Sequence, residues 1–157
     1  METPQPQAEH KCLQKLVGEW TMESECSMGP DQPPMKSTGT ETTRSVGELW
    51  TMGEGLMPDG EPCRTFMTLG YDPAQKRFVG TFIGSMMTHM WIYNGSLNGN
   101  VLTLDTEGPD FSGSMGMVAY QDIIEFKSDD HRVLSSQLKD KDGNWQKFMT
   151  ANYYRKK

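Results

Sequence analysis

The chain has 157 residues, with 35% hydrophobic and 23% charged residues, enough to bury one core without disulfides or metals. Its net charge of -6 and the lack of any Lys/Arg cluster beyond the terminal Arg155-Lys156-Lys157 argue against nucleic acid and anionic membrane as partners. No apolar run is long enough for a transmembrane helix, and the start "METPQPQAEHKC" has neither a basic nor an apolar signal region. A cytoplasmic location is therefore expected.

Residues 1–7, with two prolines, read as a disordered lead-in, and residues 8–157 as a single domain. In 8–17 the residues Ala8, Cys12, Leu13, Leu16 and Val17 share a helical stripe, and Gly18 ends it. The remainder predicts strands at 19–28, 35–46, 48–56, 64–71, 76–84, 88–96, 100–106, 115–126, 131–139 and 144–155. They are separated by turn chemistry such as "PDGEP", "DPAQ", Asn98-Gly99 and Asp142-Gly143. Connections this short favour an antiparallel meander, and ten strands hide their two edges by closing into an up-and-down barrel. The predicted fold class is all-β, a single antiparallel barrel with a short N-terminal helix.

Period two places Thr65, Met67, Leu69 and Tyr71 on one face, with Arg64, Phe66 and Thr68 on the other. It likewise separates His89, Trp91 and Tyr93 from Thr88, Met90 and Ile92. In the last strand it sets Trp145, Met149, Ala151 and Tyr153 against Phe148, Thr150 and Tyr154. Bulky residues on both faces suit a barrel with one lined interior face and one packed outer face. Cys12, Cys26 and Cys63 are odd in number and widely spaced, which predicts free thiols.

The stretch "GSMMTHMW" at 84–91 holds imidazole and thioether, ligands suited to copper(I) or haem iron. Strand periodicity divides its methionines between two faces, which favours a structural or pocket-lining role. His10, beside Glu9, and His131, after Asp129-Asp130, are expected on the surface. Asp122 and Glu125 are candidate acid/base groups but fall on opposite faces. No nucleophile elbow, zincin motif or phosphate loop is present. The Gly/Pro-rich segments 28–36 and 107–116 are candidate rims of a barrel mouth, with Phe111 and Met115 as a lid or a dimer contact.

A helix followed by Gly18-Glu19-Trp20 resembles the lipocalin and wider calycin signature. That resemblance implies that Trp20 closes one barrel end and packs on a basic residue of the last strand, here Arg155. The ordered set "LVGEW", "GYDPAQKRFVG", "GSMMTHMWIYNGSL", "LTLDTEGPDF" and "DGNWQKFMTANYYRK" resembles a bacterial family catalogued as domain of unknown function 1579, grouped with calycin-like barrels. It implies a fold and no activity. Without a signal peptide or paired cysteines, the chain is more similar to intracellular branches such as fatty-acid-binding proteins and nitrobindin-type haem barrels. The last predicted strand, 144–155, contains no histidine, so no haem ligand is carried over.

The expected function is binding of a small apolar or amphipathic molecule. The expected lining or supporting residues are Trp91, Tyr93, Met67, Phe82 and Phe148, with His89 and Arg64 as polar anchors. No cofactor or metal is expected. The alternatives are a barrel enzyme using His89 as acid or base, a haem- or metal-binding barrel, and a homodimerising interaction protein.

Overall fold

The computed structural model describes the chain apart from Met28, Pro30 and residues 112–115. Met115 and the predicted strand ends at 28 and 115 thus lie outside the described residues. Helix α1 (Ala8–Leu13) runs into a 3₁₀ turn at Gln14–Leu16. The strands are β1 (Gly18–Cys26), β2 (Met35–Val46), β3 (Trp50–Met57), β4 (Cys63–Asp72), β5 (Arg77–Gly84), β6 (Trp91–Asn98), β7 (Val101–Pro109), β8 (Met117–Ser128), β9 (His131–Lys139) and β10 (Trp145–Arg155). Each pairs antiparallel with its sequence neighbour, and β1 pairs with β10 to close the barrel. The predicted class and strand order hold.

Alternation fixes which side chains face inward. β6 buries Trp91, Tyr93 and Gly95 while its other face is exposed, and β7 buries Leu102, Leu104, Thr106 and Gly108. On β10 the register shifts between Lys147 and Met149. This β-bulge lets Phe148 and Met149 both line the interior, where strict alternation would send one outward.

The amphipathic stripe of α1 and the following 3₁₀ turn supplies Leu13 and Leu16, fully and almost fully buried, to the core. The helix and its 3₁₀ turn plug one end of the barrel. His10 contradicts its surface expectation and is only 4% exposed. Its Nδ1 accepts the Gln7 backbone N–H at 2.9 Å, which leaves the ring proton on Nε2, 3.0 Å from the Tyr71 carbonyl. One ring thus caps the helix and ties it to β4. His131 is also partly buried rather than solvated; it stacks on Tyr154 and contacts Asn152 Oδ1 at 2.8 Å. All three cysteines are free thiols.

The plugged end is held by Trp20, which is 1% exposed and donates from Nε1 to the Leu16 carbonyl at 2.9 Å. The Arg155 guanidinium stands 4.2 Å over its ring, and that of Arg132 stands 4.4 Å away. Arg155 also donates to the carbonyls of Val17, Lys15 and Asp129 at 2.7, 2.9 and 3.0 Å. One side chain from the last strand therefore binds the 3₁₀ turn, the first strand and the β8–β9 turn. Gly18 makes room for it: its φ is +137°, and a Cβ there would lie 2.3 Å from Arg155 Nη1.

Replacing Arg155 by Ala removes a cation–π contact worth about 0.5–2 kcal/mol and leaves three carbonyls to find new donors. For a chain of this size, where about 1 kcal/mol shifts Tm by about 2–4 °C, Arg155→Ala is expected to lower Tm by about 5–10 °C. Arg155→Lys should recover only part of the loss. Differential scanning calorimetry checks it; an unchanged Tm in Arg155→Ala would mean that this contact does not hold the plugged end.

Candidate functional site

Chain direction sends the longer connections to the end opposite α1: 27–34, 58–62, 85–90, 110–116 and 140–144. Both segments expected at a barrel mouth, 28–36 and 107–116, overlap connections at this end. Beneath it lies a cavity of about 180 Å³. Its walls are Met67, Phe82, Trp91, Tyr120, Leu134, Phe148 and Met149, and its rim carries Met86, Met87 and Phe111. A smaller space of about 50 Å³ continues towards the plugged end, sharing Met67, Phe82 and Leu134 with the first.

The aromatic wall is a packed cluster. Trp91 meets Tyr120 edge-on at 4.8 Å, and Phe111 meets Tyr120 and Phe148 at 5.7 and 5.6 Å. Such pairs hold each ring in one orientation. Gly108, across from Trp91, is required by close approach: a Cβ there would come within 2.1 Å of the indole. Met87 fixes the indole from the rim, its sulfur accepting the Trp91 Nε1 proton at 2.9 Å.

Polar groups enter this apolar space at few points. Asp122, on the inner face of β8, accepts hydrogen bonds from the Tyr93 hydroxyl and from Ser136 Oγ. Burial pushes its carboxyl above the usual carboxylate range, against the opposing effect of those two donors. Burial, and then the Asp122 charge, pushes the Tyr93 phenol well above its ordinary value. Thr106 Oγ1 is buried with no partner among the described residues, and its side chain borders the same cavity.

The smaller space has its own charged pair. Arg132 Nη2 meets Glu41 Oε1 at 2.5 Å, and Thr43 Oγ1 donates to the same oxygen at 2.7 Å. The Arg132 guanidinium also stands 4.1 Å over Tyr153. Burial, followed by the Glu41 charge, raises the Tyr153 phenol. Glu41 is therefore compensated within the barrel.

Of the residues expected at the site, Met67, Phe82, Trp91 and Phe148 line the cavity, and Tyr93 lies behind it as the donor to Asp122. Arg64 and His89 stand elsewhere. Arg64 is on the outer face of β4, 62% exposed, and pairs with Glu54. Its alternation partners Met67 and Leu69 are the inward ones, so it is no anchor for an interior ligand. His89 precedes β6, which starts at Trp91 rather than 88, because β5 pairs with β6 only over 78–82 and 91–95. Outside the ladder, strand parity does not govern it. Its Nε2 lies 2.9 Å from the Glu107 carbonyl, and it borders an outer groove with Met90, Ile92, Met117 and Trp145.

The "GSMMTHMW" ligands do not converge. Met86 Sδ accepts from Cys63 Sγ at 3.3 Å, Met87 from Trp91, and Met90 is exposed. Among the described residues no three of His, Cys, Asp and Glu come together as a metal site. Asp122, Ser136 and Thr106 were not expected as a group. Asp122 alone carried a signal, as a carboxylate at an inward position of a strand; its partners come from two other strands.

The family model for a protein of unknown function, DUF1579, matches residues 5–155. No curated protein matches the chain. Among solved structures, Rv2717c from M. tuberculosis is similar at 15% identity and TM-score 0.63, over 98% of this chain and 100% of that one. A redesigned β-barrel is similar at 11% identity and TM-score 0.51, over 93% and 96%. These likenesses concern the barrel fold, whereas the family match spans almost every residue described above: the chain belongs to the DUF1579 family of proteins of unknown function.

Proposed function

We propose that the barrel interior binds a small, predominantly apolar organic molecule that enters between the long connections. The observation that carries this reading is the cavity of about 180 Å³, walled by aromatic, methionine and leucine side chains and floored by Asp122, Ser136 and Thr106. Apolar walls with a few convergent polar groups are what small-molecule sites require. The volume slightly exceeds that of an engineered apolar cavity of about 150 Å³ that holds benzene, so a ligand built on one ring fits. Polar anchoring falls to Asp122 and its neighbours rather than to His89 or Arg64.

Benzyl alcohol is a suitable neutral probe. It is expected to raise Tm progressively, the stabilisation growing as the logarithm of one plus its concentration over Kd, and to perturb Trp91 fluorescence. Leu134→Phe, which adds volume to the wall, should weaken that binding about tenfold or more at a stability cost of about 1–3 kcal/mol. Equal binding by wild type and Leu134→Phe would place the probe outside the barrel, and no binding at all would remove the proposal.

The Asp122 floor has a pH signature. A carboxyl whose folded-state pKa is raised stabilises the fold below its unfolded pKa, and that contribution is lost as pH rises through the folded value. Asp122→Asn does not titrate. The Tm of wild type relative to Asp122→Asn should therefore fall as pH rises above the ordinary carboxylate range, and level off below it. Parallel Tm curves for the two proteins from acid to neutral pH would show that Asp122 titrates normally.

A further inference from the structure

Among the described residues, two carboxylates line the interior spaces of the barrel, with different surroundings. Glu41 has Arg132 at 2.5 Å. Asp122 has only the hydroxyls of Tyr93 and Ser136, and among the described residues no lysine, arginine or histidine pairs with it. It is also the one charged side chain among the described residues that line the larger cavity. A carboxylate offers about four lone-pair positions, and these two hydroxyls occupy two of them.

The same cavity carries Trp91, Tyr120, Phe111 and Phe148. Aromatic faces attract organic cations, most strongly where water is excluded. Thr106 Oγ1 adds an acceptor without a partner among the described residues. Thr106 stands opposite Tyr120 on the β7–β8 ladder, two residues from Asp122 along the same face, so the two are diagonal neighbours. Acceptors, a single carboxylate and aromatic rings are thus present in one small space, and no cationic side chain among the described residues lines it.

Resting on the interior-binding reading above, we propose that the ligand is an organic cation: a small aromatic or branched amine whose ammonium group lies against Asp122 and whose hydrocarbon part fills the aromatic wall. An ammonium has three donors and no acceptor, which matches open lone pairs on Asp122 and Thr106 Oγ1. A carboxylate ligand would place a second negative charge beside Asp122 with no cation to separate them. The site therefore selects against fatty and aromatic acids, although its walls are apolar enough for either.

Calorimetric titration of the full chain at neutral pH with benzylamine, benzyl alcohol and benzoate tests this, since the three share a ring and differ in charge. Benzylamine should bind about tenfold or more tightly than benzyl alcohol, as expected for a hydrogen bond to a charged group, and benzoate most weakly. Asp122→Asn should abolish the advantage of the amine while retaining benzyl alcohol. Thr106→Val, which keeps the charge, should reduce the advantage without abolishing it. Benzoate binding as well as benzylamine, or an amine advantage that survives in Asp122→Asn, would overturn the proposal. If benzyl alcohol binds wild type and the amine binds no better, the cation preference fails and interior binding stands. If none of the three binds, both readings fall. Should Asp122→Asn not fold, the ranking of the three probes on wild type still decides the matter.

Discussion

The contact between Arg155 and Trp20 is where the two ends of the chain meet. Pairing of β1 with β10 closes the sheet, but a ladder by itself leaves the barrel floor open. Trp20 fills the floor, and Arg155 fastens the ring to the backbone carbonyls of the preceding turn. With that end sealed by α1, Leu13 and Leu16 can be almost wholly buried, and the empty space collects towards the opposite mouth. The position of the cavity follows from which end is sealed.

The interior is also polarised along its axis. Near the plug, Arg132 stands over Trp20 and Tyr153 and neutralises Glu41, so charge there is matched inside the protein. Further up, Asp122 is met among the described residues only by the hydroxyls of Tyr93 and Ser136, and burial shifts its carboxyl above the usual carboxylate range. A carboxylate paired with an arginine and one met only by hydroxyls among the described residues thus occupy adjoining interior spaces.

Much of this was legible in the sequence. Turn residues and alternation locate ten strands, and Gly18-Glu19-Trp20 with Arg155 marks the closure. Alternation is a rule for residues inside a regular ladder, and it does not reach every residue of the site. His89 lies outside one, and Phe148 sits at a bulge that turns it inward beside Met149. Arg64 lies inside a regular strand, and there parity alone is enough to assign it outward. His10 was hidden for a different reason. Its partner is the Tyr71 carbonyl, 61 residues away, and no local pattern announces that contact. The grouping of Asp122 with Tyr93 and Ser136 likewise depends on three strands meeting in register.

The connections at the two ends have unequal freedom. At the plugged end the β6–β7 and β8–β9 reversals span only 99–100 and 129–130, and Arg155 holds the Asp129 carbonyl in the latter. An inserted residue there would shift the ladder or break the fastening. At the mouth the connections are longer. Length can therefore change at the mouth without disturbing the sealed base, whereas the base tolerates no such change.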